Sequence, residues 1–173
     1  MRNRRQTTIN VGWELTNLHS AYLTVRQLGV WDMLRRGLSQ SEIGRRLKIS
    51  RQAVNQLVQT IPEKVSAALY DAAKLNAVEP EYVDTTKGIL FGRSRHFEID
   101  TAITLDPEMG LRVWYRHNLG RCKICPDKRQ CKTMILKTAQ DLGVSLTAQE
   151  RDLFPSKLST VVFSRVRGEV RVE

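Results

Sequence analysis

Cysteine is missing from this 173-residue chain everywhere except "CKICPDKRQC", residues 122–131, which holds all three. Thiols used as small core hydrophobes would be scattered, and a secreted chain would space them as a disulfide framework. Long apolar runs are missing too. No stretch approaches the roughly 20 residues a membrane-spanning helix needs, and the basic opening "MRNRRQTTINVGWEL" lacks the apolar segment of a secretory signal. A cytoplasmic protein with no membrane partner is expected, in a reducing compartment where clustered cysteines bind metal more often than one another. Catalytic signatures are also absent. There is no nucleophile beside a base, no phosphate-binding glycine loop and no carboxylate pair flanked by histidine. His96 stands alone. The chain is not expected to be an enzyme.

What is present is positive charge on an ordinary globular background. Apolar residues make up 41% and charged residues 27%, and the length fits one compact domain or two small ones. Net charge is +10. Residues 1–60 hold ten Lys or Arg against Glu14, Asp32 and Glu42, a local +7. A field concentrated in this way suits a polyanion, whose phosphates release counterions on binding. A merely solvated basic surface is the plainer alternative, and the pattern of residues inside that third decides between them.

In "LTVRQLGVWDMLRRGLSQSEIGRRLKISRQAVNQLV", Leu23, Leu28, Trp31 and Leu34 recur at near-helical spacing. Thr24 suits an N-cap, and Gly37 suits the left-handed residue that ends a helix. Ser39 or Ser41 can cap a second helix carrying Ile43 and Leu47. Ser50 can cap a third, with Ala53, Val54, Leu57 and Val58 inward and Arg51, Gln52, Asn55 and Gln56 outward. Arginine suits guanine edges, and asparagine and glutamine suit adenine. Ser50, Arg51, Gln52, Asn55 and Gln56, with Arg45 and Arg46 on the preceding helix, are the candidate DNA-binding residues.

"GLSQSEIGRRLKISRQAVNQLV" resembles the helix-turn-helix of LuxR-type regulators, sigma-factor region four and archaeal Tfx-type regulators. The likeness rests on Gly44 at the helix contact, on Ile43, Leu47, Ile49, Val54 and Leu57, and on Ser50-Arg51-Gln52 opening the recognition helix. It covers roughly residues 23–75, and Lys48 stands where many relatives carry glycine. It implies a double-stranded DNA partner. Beyond it, Thr60 and Glu63 lie at capping-box spacing with Pro62 in the first turn of a further helix. Val65, Leu69, Ala72 and Leu75 make its apolar stripe. In the resembling families a helix here pairs two subunits, which implies a homodimer; the stripe could equally pack on the chain's own C-terminal part.

Residues 77–87 break the helical pattern at Pro80 and read as a linker. "HFEIDTAITL" then alternates with period two, placing Phe97, Ile99, Thr101, Ile103 and Leu105 on one side of a half-buried strand. "DPEMG" is a turn, "LRVWYRH" a returning strand, and "GILFG" a third. Downstream, Met134, Ile135, Ala139 and Leu142 lie at helical spacing before Gly143. Thr147 can cap a short helix, and "SKLSTVVFSRVRGEV" is read as helix although "VVF" favours strand.

The second strand leads into His117-x4-Cys122-x2-Cys125-x5-Cys131. Two thiols separated by two residues can turn onto one ion, and a third after a proline can close the site. With His117 as fourth ligand the set would be an ordinary structural zinc site. The spacing is also similar to that of [4Fe–4S] proteins: WhiB-type and fumarate–nitrate-type regulators, and the last three ligands of the cluster loop in helix-hairpin-helix DNA glycosylases. Those families hold a fourth cysteine elsewhere, whereas here the fourth iron would fall to His117, another group or a small molecule. The five-residue loop, longer than most zinc knuckles use, favours the cluster over Zn2+. Residues 121–137 carry six Lys or Arg against Asp127, a charge that could steady an anionic thiolate centre, lower the thiol pKa values or touch DNA phosphate.

The expected fold is α+β: a helix-turn-helix DNA-binding domain with a candidate dimerisation helix at residues 1–76, a linker at 77–87, and a small antiparallel-sheet domain with helices and the cysteine site at 88–173. The expected function is a sequence-specific transcriptional regulator whose cysteine-ligated centre acts as sensor or staple. A DNA-acting enzyme and an RNA polymerase accessory factor with a structural zinc or iron–sulfur site are the alternatives. Against the enzyme stand the missing helix-hairpin-helix glycines and the missing carboxylate trio for magnesium.

Overall fold

The computed structural model describes residues 22–116 and 121–168. It is a mixed α+β fold of six helices and one four-stranded antiparallel sheet. Three helices come first: α1 (Val25–Arg35), α2 (Gln40–Leu47) and α3 (Arg51–Leu75). Each begins where a short side chain satisfies orphaned backbone donors. The Thr24 hydroxyl accepts from the Gln27 N–H while the Gln27 side chain accepts from the Thr24 N–H, and Ser39 and Glu42 repeat that reciprocal pairing for α2. Ser50 Oγ accepts from the Ala53 N–H at the start of α3. Gly37 (φ 82) follows α1 in the left-handed region.

Helix α3 runs straight through the break expected at Thr60. Thr60 is not a cap; its hydroxyl donates back to the Leu57 carbonyl, and Pro62 lies inside the helix. An interior proline costs about 3 kcal/mol. Ile61, Val65, Ala68 and Leu69, on both sides of it, are buried in one core, and each large aliphatic side chain so buried contributes about 1.5–3 kcal/mol. Burial therefore outweighs the missing hydrogen bond.

The segment expected to be a linker, 77–87, contains strand β1 (Val78–Asp84). It pairs with β2 (Ile89–Ser94), β2 with β3 (Asp100–Asp106), and β3 with β4 (Gly110–Tyr115), all antiparallel in sequence order. Pro80 is tolerated because β1 is an edge strand, where a missing N–H costs no ladder bond, and the register shifts between Pro80 and Tyr82. Helices α4 (Lys128–Asp141), α5 (Ala148–Arg151, capped by Thr147) and α6 (Pro155–Arg167) complete the chain.

The sheet is buried on both faces, not one. Val78, Leu90, Ile103 and Leu105 pack with α3 and the other N-terminal helices in one core. Ile89, Phe91 and Ala102, with Trp114, face α6, and α4 packs on α6 through Ile135, Ala139, Leu158 and Val162. Phe97, expected on the apolar side of β3, lies outside the strand and is exposed. The stripe Val65, Leu69 and Ala72 is covered by this same core, whereas Leu75 is 86% exposed. The helical third is thus no separate unit: Trp31 of α1 donates to the Thr85 carbonyl, and a Cβ on Gly88 would lie 2.7 Å from the Trp31 ring. Among the described residues no helix is long and apolar enough to cross a membrane.

Candidate functional site

At the start of α3 the sequence-predicted residues are brought together. Ser50 is the cap, and Arg51, Gln52, Asn55 and Gln56 are all exposed on the first two turns, with Val54 buried behind them. The close approach of α2 is set by Gly44, where a Cβ would stand 2.9 Å from the Ile49 carbonyl oxygen. Lys48 makes the turn at φ 54, a left-handed conformation that glycine adopts at less cost. Arg45 and Arg46 lie exposed in the last turn of α2, where positive charge complements the helix dipole. The neighbouring Glu42 carboxylate accepts from the Ser39 N–H and hydroxyl, with no ion pair to either arginine. Hydrogen bonds from the Ser39 hydroxyl and backbone N–H hold the Glu42 carboxyl below its usual range, with the two arginines adding to the effect. Arg45, Arg46, Arg51, Gln52, Asn55 and Gln56 make no side-chain hydrogen bond to another described residue. Among the described residues nothing occupies their donors and acceptors.

The cysteine segment is arranged differently. Cys122 and Cys125 lie on the loop before α4, and Cys131 lies in its first turn; all three are free thiols lining one cavity. His117, the expected fourth ligand, lies outside the described residues. Cys122 Sγ lies 3.5 Å from Ser156 Oγ at the start of α6. Hydrogen bonding from the Ser156 hydroxyl and backbone N–H holds the Cys122 thiol below its ordinary pKa, helped by Lys128, as expected of a thiol at a helix N-terminus. Burial pushes Cys131 the other way, with the charges of Cys122, Cys125 and Asp127 adding to it. The donor chemistry suits a soft metal or cluster, yet among the described residues no three His, Cys, Asp or Glu side chains gather as a metal-holding group. The loop brings the thiols to one wall without converging them on one point.

A third group was not anticipated from the sequence. Arg35 of α1 reaches across to the far layer: its Nη2 donates to the Asp141 carbonyl at 3.1 Å, and its Nη1 lies 4.0 Å from Asp106 Oδ2, with both charged side chains 8% exposed. Burial, the hydrogen bond to Asp106 and the charge of Asp106 push Asp141 up to about 7. Burial acts on Asp106 as well, but it is outweighed by the bond to Asp141 and by the Met109 and Glu108 N–H groups, so Asp106 titrates below its usual value. These residues are 35 to 106 positions apart in the chain, and no short-range pattern marks them.

Comparison with protein-family models, curated proteins and solved structures found no match to this chain.

Proposed function

We propose that this chain is a sequence-specific DNA-binding transcription regulator in which α2, the Lys48 turn and α3 form a helix-turn-helix with α3 as recognition helix. The observation that carries the reading is the exposed, unpartnered set Arg51, Gln52, Asn55 and Gln56 on the capped first turns of α3, beside Arg45 and Arg46. Side chains of these types at the N-terminal end of a helix read base edges in the major groove, and the flanking arginines suit phosphate. A homodimer on two half-sites belongs to the same reading. Since Val65, Leu69 and Ala72 are covered by the chain's own core, pairing would fall to exposed residues such as Tyr70 and Leu75.

The three thiols belong to this proposal as ligands of a zinc ion with His117 as the fourth, or of a [4Fe–4S] cluster whose fourth iron takes His117, another group or a small molecule. Such a group would staple the loop or make it sensitive to redox change. The free loop would have to draw Cys122 away from Ser156 to present all three sulfurs together. An absorption spectrum of protein purified without oxygen separates the two centres. A broad band near roughly 400 nm that bleaches in air is the cluster's signature, and colourless protein that releases zinc as its thiols are titrated is the staple's.

The DNA reading is tested by selecting from a random duplex library with the full chain and titrating the enriched site. Gln52→Ala and Asn55→Ala should each weaken binding by about 1–3 kcal/mol and relax preference at one position. Arg46→Ala should weaken all sequences alike and reduce the salt slope by about one. A library that yields no enriched sequence overturns the reading and leaves contact with RNA polymerase as the use of this surface.

A further inference from the structure

The apolar side of the cysteine cavity is left unused by that reading. Phe91, Ala102 and Trp114 of the sheet and Phe163 of α6 line a hollow of about 630 Å³, within the size range of small-molecule sites. The aromatic wall is held by its own packing: the Phe163 ring lies 5.7 Å from Trp114 and 6.4 Å, edge-on, from Phe91. Across from it the loop presents Ile124, 74% exposed. A second hollow of about 790 Å³ continues on the far side of the loop toward Leu153, Phe154 and Val161. The two share Arg121, Cys122, Ile124, Ser156 and Thr160 as lining. The loop therefore crosses a groove along α6, touching the helix where Cys122 meets Ser156.

Charge around the groove is one-sided once existing pairs are removed. Asp100 is engaged by Arg116 at 2.9 Å and faces Arg93 at 3.9 Å, and Arg167 is paired with Glu81 at 2.6 Å. Arg121 makes no ion pair with a described residue, and Lys128 lies over the Phe154 ring at 5.2 Å without a carboxylate partner. Both line the first hollow, Arg121 also lining the second, and Asp127 is the single acid against them on the described part of the loop.

We propose that this groove is a binding site for a small amphipathic organic anion, its carboxylate or sulfonate at Arg121 and Lys128 and its apolar body on Trp114, Phe163 and Phe91. Volume, aromatic lining and unpaired cations select that class: a neutral apolar ligand would leave the cations unused, and an inorganic anion would leave the aromatic wall wet. The assignment does not depend on the DNA reading, because binding is measured without DNA.

The test uses the full chain and isothermal titration with 2-naphthoate and with 2-naphthamide, which shares its shape without its charge. Naphthoate should bind with one site per chain, at least about tenfold tighter than the amide, the size of one charge-assisted contact. Arg121→Gln with Lys128→Gln should remove that difference and leave the amide unchanged. Ser159→Trp, which fills the groove from α6, should abolish binding of both; Ser164→Trp, also on the lining, serves if the first variant loses its circular dichroism. Equal affinity for acid and amide, full binding by a folded Ser159→Trp protein, or no measurable heat with naphthoate would each overturn the proposal.

Discussion

The two faces of the sheet are built from different materials. Toward α3 it presents Val78, Leu90, Ile103 and Leu105, aliphatic and closed off from water. Toward α4 and α6 it presents Phe91, Ala102, Thr104 and Trp114, with the Trp114 ring N–H donating to the Thr104 hydroxyl at 2.9 Å. The buried polar atoms without a partner among the described residues, Arg112 Nε, Thr138 Oγ1 and Asp141 Oδ2, belong to that second side, as does the cavity with the three thiols. A closed aliphatic layer has one good packing and resists change. A layer with open space and unpaired buried polar atoms is less tightly specified, because unsatisfied groups carry a desolvation cost. Helix α3 is anchored in the first kind of layer and the cysteines in the second.

That contrast breaks most readily at Leu69, fully buried on the α3 side. Leu69→Ala should cost about 2–5 kcal/mol, and because α1 to α3 share one core with the sheet, calorimetry should show a single transition. A separate earlier melt of the helical part would refute the shared core. Phe163→Ala, part-exposed on the other face, should cost only about 1–2 kcal/mol.

Proton linkage sharpens the comparison further. Asp141 keeps its proton in the folded chain up to about 7 but releases it near 3.8 when unfolded. Its contribution to stability is therefore full at low pH, falls as pH rises from about 3.8 to about 7, and is flat above. Asp106 runs oppositely, its contribution appearing above its ordinary value and fading in acid. Arg35, Lys137 and Glu108 also face this pair; burial lowers the Arg35 pKa against the opposing charges of Asp106, Asp141 and Asp32, and the Glu108 hydrogen bond raises that of Lys137. Melting temperatures of wild type and Asp141→Asn should diverge across that window, with the variant gaining as pH rises. Parallel curves would remove Asp141 as the titrating group. The smallest effect is expected at the edge of the anchored layer, where Ser50→Ala should cost about 1 kcal/mol. It should fray only the first turn of α3, seen as faster amide exchange at Gln52 and Ala53.

Much of this architecture was legible along the chain. Thr24, Ser50 and Thr147 cap where their spacing to the next backbone donors predicts, Gly37 and Gly143 end helices in the left-handed region, and the turn between β3 and β4 falls at the expected residues. Pro80 misled because a proline that breaks a helix or a central strand is harmless on an edge strand, and being an edge is a property of the sheet. Thr60, Pro62 and Glu63 misled because a capping box and a proline inside a buried helix share one local pattern. At the cysteines the sequence located the thiols but could not show Ser156, 34 residues away from Cys122.

By itself, then, the sequence determined the starts of α1, α3 and α5, the outward polar row on α3, the strands β3 and β4 and the turn between them, and the confinement of its thiols to ten residues. The helix starts, polar row and strands are settled by hydrogen bonds or side-chain periodicity within a few residues. Only the tertiary structure decided that α3 runs unbroken through Pro62, that β1 joins the sheet, that both sheet faces are covered, and that Arg35, Asp106 and Asp141 meet. Those outcomes depend on the desolvation and packing of groups from distant parts of the chain, energies that exist only once the layers have closed on one another.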